Sequence, residues 1–538
     1  MAASSPALAL PAHNPDRRDL WIALAVGLAA LAVYVRTLAP DLLYGDSAEF
    51  QALSYTLGIA HSTGYPVNNL LGKLLGSLLP FGTFAYRINL LSAIYASGAL
   101  SFVYLLARKI TRSRGGAVLA AVVLGLGHTY WSQSIIAEVY ALAALAIVSS
   151  LFCFWHWQDQ PTARPAWLAA ALLIAGFGIH TVVVLTAPAL GLGLLLTLWR
   201  KHLPRREWLR AIGAALAGGA AGAAVFFLSF YLSDTLINPP TSFLNVSLLP
   251  SHSLWGATTA DLDQFFERVY HTVVSLQWRN QLFSGDPAYM LKSLGNYADA
   301  LFQRDFSWLA LLLTLLGLVV LFIRQWRMGI LWLVAYATLL FYILNYQVSS
   351  KYVFYLATYL LISVLAGAGA GFLLEKLGAL LGGRAPRLGW LVACTAALLL
   401  AAAAYPRLAP TWNSLAAGKA VFYTDDEYAY PYKNLTEPRA SAEALLASVP
   451  DDAVLLVGWR ILYAAAYLAN AEQNRPGITF REASPHPSRN KLTDSLVQEV
   501  TEFLKAGRPV YADNNYENLR QYFQTRPAAN RLIQVTLK

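Results

Sequence analysis

Cysteine is nearly missing. The 538 residues include two, Cys153 and Cys394, and both lie in apolar runs. A disulfide framework and a thiolate metal site are excluded. Charge is also scarce, at 13% of residues against 57% hydrophobic, and the mean hydropathy is +0.45. That composition excludes an ordinary soluble protein. Charged residues are absent from the centres of the long apolar runs, where ion-coupled transporters usually hold them. A Gly-rich phosphate loop is absent from the C-terminal part, which argues against a nucleotide-sugar donor there. Internal repeats are absent too.

What charge there is carries a net +10. Its placement argues against a nucleic-acid partner. The cations cluster as Arg17/Arg18, Arg108/Lys109/Arg112/Arg114, Arg200/Lys201/Arg205/Arg206/Arg210, Arg324/Arg327 and Lys376/Arg384/Arg387. Each cluster flanks or joins apolar runs, as in the cytoplasmic loops of membrane proteins. Runs of about 20 apolar residues suffice to cross a bilayer core of about 30 Å. Spans are predicted at 20–38, 88–107, 115–130, 136–156, 166–179, 181–199, 210–231, 308–324, 328–346, 353–375 and 387–404. The first is too long for a signal-peptide core and no small-residue cleavage site follows it, so it reads as a retained span. With the N-terminus inside, every basic cluster falls inside. Residues 39–87, 232–307 and 405–538 then fall outside.

The expected fold is therefore a polytopic α-helical membrane protein of about eleven transmembrane helices, residues 1–404. Residues 405–538 are balanced in charge, with 15 Lys+Arg and 14 Asp+Glu. Short apolar stretches at Ala453–Val457, Gly477–Phe480, Pro509–Ala512 and Arg531–Leu537 alternate with helical patterns at Ile461–Ala471, Thr493–Ala506 and Asn514–Gln524. That alternation predicts an extracytoplasmic α/β domain with a largely parallel sheet. An amphipathic pattern around Asp261–Trp278 predicts a helix lying on the membrane surface.

The chemistry-bearing residues gather on the outer side. Asp46, Glu49, His61, Tyr65, Lys73 and Arg87 belong to the first outer loop. His128, Trp131, Glu138 and Tyr140 surround the turn between spans three and four. His180 sits between spans five and six, and Lys351 precedes span ten. This pattern meets the demands of sugar transfer from a lipid-linked donor. A base must take the acceptor's proton, and a cation must meet the departing phosphate. Asp46 and Glu49 are candidate bases. Lys73, Arg87 and Lys351 are candidate phosphate cations. Each also has a plainer reading: Asp46 as the cap of a helix starting at Ser47, Glu49 as a first-turn acid, the histidines as polar caps, Lys73 as a snorkelling side chain, and the aromatics as an interfacial belt.

The motifs GDSAEF (45–50), HSTGYP (61–66), RINLLSA (87–93), YWSQSIIAEVYAL (130–142) and GIHT (178–181) resemble those of the transmembrane-protein-260 type of O-mannosyltransferase and its bacterial relatives. PDDAVLLVGW (450–459) and GRPVYAD (507–513) also look like that family's outer domain. The resemblance implies a GT-C glycosyltransferase, an integral protein of a bacterial cytoplasmic membrane with its active site facing outward. It implies Asp46 as the catalytic Asp and matches Glu138, Tyr140 and His180 to recurrent family positions. Combined with the chemical reading above, His61, Tyr65, Lys73, Arg87 and Lys351 are expected on the donor side. His128, Trp131, Glu138, Tyr140 and His180 would line a sugar or acceptor pocket. His61–Lys73 is similar in placement to the His-Pro-Pro…Lys element of protein O-mannosyltransferases, with Ser62 and Thr63 where relatives commonly carry prolines. The implied reaction is inverting transfer of a hexose, mannose by analogy, from a polyprenyl phosphate to an acceptor hydroxyl on protein Ser/Thr, without a metal or other cofactor. Acceptors on a glycan or lipid remain open, as do a transporter or flippase and a non-catalytic scaffold.

Overall fold

The computed structural model describes residues 14–201, 204–348, 351–380, 395, 435–485 and 490–538. Apart from residue 395, the span predicted at 387–404 lies outside them. The membrane part comprises α1 (Arg17–Thr37), α2 (Gly45–Thr56), α3 (Pro66–Leu78), α4 (Phe84–Thr111), α5 (Arg114–Gly125), α6 (His128–Ser134), α7 (Tyr140–Asp159), α8 (Ala163–Ala175), α9 (Ala187–Lys201), α10 (Arg205–Tyr231), α11 (Phe265–Val273), α12 (Pro287–Asp299), α13 (Trp308–Leu344) and α14 (Leu356–Leu380). Among the described residues, seven helical segments are long and apolar enough to cross a membrane, and two shorter apolar helices, Arg114–Gly125 and Ala163–Gly178, accompany them.

Local chemistry sets the helix starts. Asp16 and Asp19 form a capping box at α1, and the hydroxyls of Thr83 and Ser307 accept from backbone N–H groups in the first turns of α4 and α13. The predicted spans 308–324 and 328–346 form one 37-residue helix, interrupted at Gln325 (φ −149°, ψ 61°). A straight helix of that length would reach about 55 Å, too long for one crossing. Both halves lean on α14 at the same height: the Thr314 hydroxyl donates to the Ile362 carbonyl (3.3 Å) and the Trp332 indole to that of Leu361 (3.1 Å). The two halves are thus two spans, joined at Gln325.

Small residues let the helices approach closely. A side chain at Gly317 would strike the Leu365 carbonyl, and one at Gly222 would strike the Ala171 carbonyl of α8. Such small-residue contacts are the usual close-packing device between membrane helices. The basic turns at Arg108–Arg114 and at Arg324 share one face of the bundle. Arg108 and Arg114 both bind the buried Asp19 (3.0 and 2.8 Å), Arg324 pairs with Glu375 (2.7 Å), and Gly371 of α14 packs on Thr111. The loops bearing the candidate residues lie at the other end.

Two boundaries differ from expectation. The predicted spans 115–130 and 136–156 are shorter, because α5 stops at Gly125 and α7 starts at Tyr140. Between them α6 is a separate short helix, held by Asp305, whose carboxylate accepts from the Thr129 N–H (2.7 Å) and hydroxyl (3.0 Å). In the second loop the amphipathic stretch forms α11, with Phe266 and Tyr270 exposed and Val269 buried.

The C-terminal sheet has the order β2-β1-β3-β5-β4, from β1 (Val454–Val457), β2 (Thr479–Glu482), β3 (Val510–Ala512), β4 (Gln524–Pro527) and β5 (Ile533–Thr536). β2, β1 and β3 run parallel; β5 and β4 add antiparallel pairs. The helix expected at Asn514–Gln524 shrinks to Leu519–Tyr522, and β4 follows it directly.

Candidate active site

The first loop is pinned before it reaches its carboxylates. Gln51 accepts from the Leu43 N–H (3.1 Å) and donates to the Asp41 carbonyl (3.2 Å) and Asn89 (2.9 Å). Asn89 donates in turn to the Ala39 and Asp41 carbonyls. These buried bonds account for Gln51, next to GDSAEF, and for Asn89 in RINLLSA. Gly45 then takes a positive φ (+57°), as glycine does at little cost, and starts α2. Asp46 falls in the first turn of that helix, but Tyr44 is the cap residue. The capping reading of Asp46 is therefore replaced: its Oδ1 accepts from the indole N–H of Trp459 (2.8 Å), 413 residues later in the chain. Among the described residues its second oxygen has no hydrogen-bond partner.

One helical turn on, Glu49 is fully buried. Its Oε1 accepts from the His61 backbone N–H (2.7 Å), and its Oε2 meets His61 Nδ1 at 2.5 Å. Burial opposes charge on His61, but Glu49, Asp46 and Glu138 outweigh it and lift the ring's pKa to about 9. His61 is thus an imidazolium at neutral pH. Glu138 lies near enough to feel Asp46; burial first, then that charge, holds its carboxyl well above the ordinary range.

The chain next bends through Gly64 (φ +88°) and Tyr65 (φ +47°) into Pro66. A bulky residue in the left-handed region costs about 1–3 kcal/mol, and such residues cluster at functional sites. Here the strain aims the Tyr65 ring at His61 (centroids 5.1 Å apart) and stacks it on His180 (5.8 Å, 26°). His180 also packs against Tyr140 (5.2 Å) and Phe354 (5.3 Å). Its Nδ1 accepts from the Val182 N–H (3.1 Å), and burial, aided by the charge on His61, holds its pKa down at about 3. It is a neutral ring.

The other sequence candidates lie elsewhere. Lys73 donates to the Tyr55 carbonyl (2.5 Å) near the end of α2 and sits over the Tyr55 ring. Arg87 spends its donors on the Phe81, Gly82 and Gly76 carbonyls. Lys351 binds the Tyr289 hydroxyl (2.7 Å) and Ser293 (2.9 Å). The Trp131 indole donates to Thr37 in the helix bundle (3.0 Å), and His128 begins α6 near Asp305. The structure thus brings together Asp46, Glu49, His61, Tyr65, Glu138, Tyr140 and His180. It does not bring Lys73, Arg87, Lys351, His128 or Trp131 to them, because each is committed to local structure.

Sequence reasoning missed the contribution of the α/β domain. Beyond Trp459, Glu482 at the end of β2 is buried against Ser247, close enough to feel Glu49, His61 and Asp46; burial lifts its pKa to about 7. Phe354, at 5.9 Å from Tyr140, was missed as well. Only the LVGW motif at 456–459 hinted at any of these. Among the described residues no group of three or more His, Cys, Asp or Glu side chains is arranged to hold a metal ion. A separate cleft of about 1150 Å³ runs between the second loop and the α/β domain, past Asn245, His252, Arg481 and Phe503.

Known proteins match this architecture. Residues 46–203 match the family described as the Protein O-mannosyl-transferase TMEM260 N-terminal domain. The mouse Protein O-mannosyl-transferase TMEM260 is 32% identical over 166 residues, 30% of this chain and 24% of that protein. The tmem260 protein of Dictyostelium discoideum is 22% identical over 316 residues, covering 54% of this chain and 35% of that one. The matches thus span between a quarter and about a third of these relatives' length. Among solved structures, ArnT from Cupriavidus metallidurans bound to undecaprenyl phosphate aligns over 96% of this chain and 97% of its own, with TM-score 0.53 and 13% identity. Its apo form aligns over 97% and 98%, with the same TM-score and 14% identity. The chain is a polytopic membrane protein of the GT-C fold, and its residues 46–203 match the TMEM260 N-terminal domain.

Proposed function

We propose that this protein is an inverting glycosyltransferase. It moves a hexose, mannose by analogy with its relatives, from a polyprenyl phosphate to a hydroxyl on protein Ser or Thr, in a site facing outward from a bacterial cytoplasmic membrane. One observation carries the reading. An available carboxylate oxygen on Asp46 sits beside a buried Glu49–His61 ion pair, in an aromatic enclosure at the loop end of a membrane bundle. The match to TMEM260 relatives supports the sugar, and the undecaprenyl phosphate bound by ArnT supports the donor class.

In this reading Asp46 takes the acceptor proton as the hydroxyl oxygen attacks the anomeric carbon. The new C–O bond forms opposite the breaking bond, and polyprenyl phosphate leaves with the electron pair. The charged His61, with the Tyr65 hydroxyl 3.5 Å from its Nε2, is the cation available to the departing phosphate. Glu49 keeps that ring charged and oriented. Neutral His180, with Tyr140, walls the sugar. No metal or other cofactor takes part in this scheme.

The test is Asp46→Asn, assayed with a panel of labelled polyprenyl phosphate hexoses and an acceptor protein. Transfer is expected to fall by about 100-fold or more while the protein still inserts and elutes as the wild type. Near wild-type turnover in that variant would remove Asp46 as the base.

A further inference from the structure

The α/β domain meets the membrane part at the carboxyl ends of its parallel strands. In open parallel sheets, ligands bind in the crevice outside those ends, where the strand order reverses. Here the reversal lies between β1 and β3. Asp513, just past β3, accepts from the Gly458 N–H (2.9 Å) and the Tyr516 hydroxyl (2.6 Å). That fixes the start of the helix Trp459–Tyr467.

This helix carries Trp459, Tyr463 and Tyr467 at i, i+4 and i+8, so all three share one face. The face docks along the first loop. The Trp459 indole donates to Asp46, Tyr463 lies near Glu49, and the Tyr467 hydroxyl accepts from the Ala85 N–H (3.0 Å). The Trp459 ring is held on three sides, by His61 (5.8 Å), Phe243 (6.0 Å) and Tyr463 (5.3 Å), all edge-on. A tryptophan needed only for packing would not require its one polar atom to end on the carboxylate.

We propose that Trp459 is a positioning residue of the transfer reaction. Its N–H fixes the rotation of the Asp46 carboxylate so that the second oxygen faces the acceptor, and its ring holds His61 in line with Glu49. The inference rests on reading Asp46 as the base. It makes the α/β domain part of the active site rather than a cover or a docking platform.

Trp459→Phe keeps the ring and removes the N–H; Trp459→Ala removes both. Both are compared with Asp46→Asn for kcat, donor KM and Tm. Misplacement of a reacting group by about 1 Å costs on the order of 100-fold. The expected result for Trp459→Phe is a kcat about 10- to 100-fold lower at unchanged donor KM and Tm, with Trp459→Ala losing Tm as well. A Trp459→Phe kcat within twofold of wild type, or a loss explained by raised KM or lowered Tm, overturns the proposal. If Asp46→Asn is inactive while Trp459→Phe is normal, the role of Trp459 alone fails. If Asp46→Asn is active, the base assignment fails and this inference with it.

Discussion

Glu49→Gln isolates the charge of the buried pair. The substitution keeps the size of the side chain and an oxygen able to accept a hydrogen bond from His61, and removes only the carboxylate. In the wild type the His61 pKa is about 9 against 6.5 for an ordinary histidine. At pH 7.5 the ring is therefore charged by roughly thirty to one. Burial alone would push it the other way, and Glu49 is the strongest of the groups opposing burial. Without it the pKa is expected to fall to 6.5 or below, leaving about one ring in ten charged at pH 7.5. If the imidazolium meets the departing phosphate, the rate at that pH falls about tenfold, and the basic limb of the pH–rate profile moves down from about 9. Stability carries the same signature. A histidine whose folded pKa is raised contributes stability fully below pH 6.5, and loses it as pH rises through about 9. The contribution is at most about 3 kcal/mol. The assay is a pH series of donor turnover and of thermal unfolding in detergent, for wild type and variant. A basic limb that stays near pH 9 in Glu49→Gln would refute the reasoning.

Other substitutions test the remaining architecture. Lys73→Met removes a cation from the Tyr55 carbonyl near the end of α2; stability should drop by about 1–2 kcal/mol with donor KM unchanged, read by thermal shift and kinetics. Gly317→Val pushes a side chain into the Leu365 carbonyl of α14 and should cost about 1–3 kcal/mol or more, visible as a lower Tm and poorer yield of folded protein. Arg439→Ala breaks the bond to Asp41 and the pair with Glu472 (2.7 Å), and should speed proteolytic release of the α/β domain with little change in the Tm of the bundle.

Much of this was legible because hydropathy and charge obey simple rules. Ten of the eleven predicted spans fall on described residues and correspond to apolar helical segments, and Arg108, Arg114 and Arg324 share one face, as loop charge parity requires. The ends of spans were less legible. Nothing local tells the chain to break between Gly125 and Tyr140; Asp305, far away in sequence, shapes that stretch through Thr129. At the site, Asp46, Glu49 and His61 stand within one loop and could be read together. The cations could not. Residue type marks Lys73, Arg87 and Lys351 as candidate phosphate ligands, yet backbone carbonyls and hydroxyls hold all three, and the charge of Glu49, against the effect of burial, makes His61 the cation beside Asp46. Trp459 was invisible for a different reason: its partner is 413 residues away, and a sheet must form before the two can meet.

That separation bears on how the protein is made. The loop holding Asp46, Glu49 and His61 leaves the ribosome early, with the first helices. Its partner Trp459 is translated after the described helices of the bundle, and the start of the helix that carries it is held by the later Asp513 through Gly458. A nascent or truncated chain that ends before β1 can lodge its helices in the bilayer and pack them, yet its Asp46 is left without the indole that orients it. On the proposed roles of Asp46 and Trp459, activity is tied to the synthesis of residues 459–513. On that reading a half-made chain carries an unfinished site, and maturation can be timed by the appearance of turnover rather than by insertion.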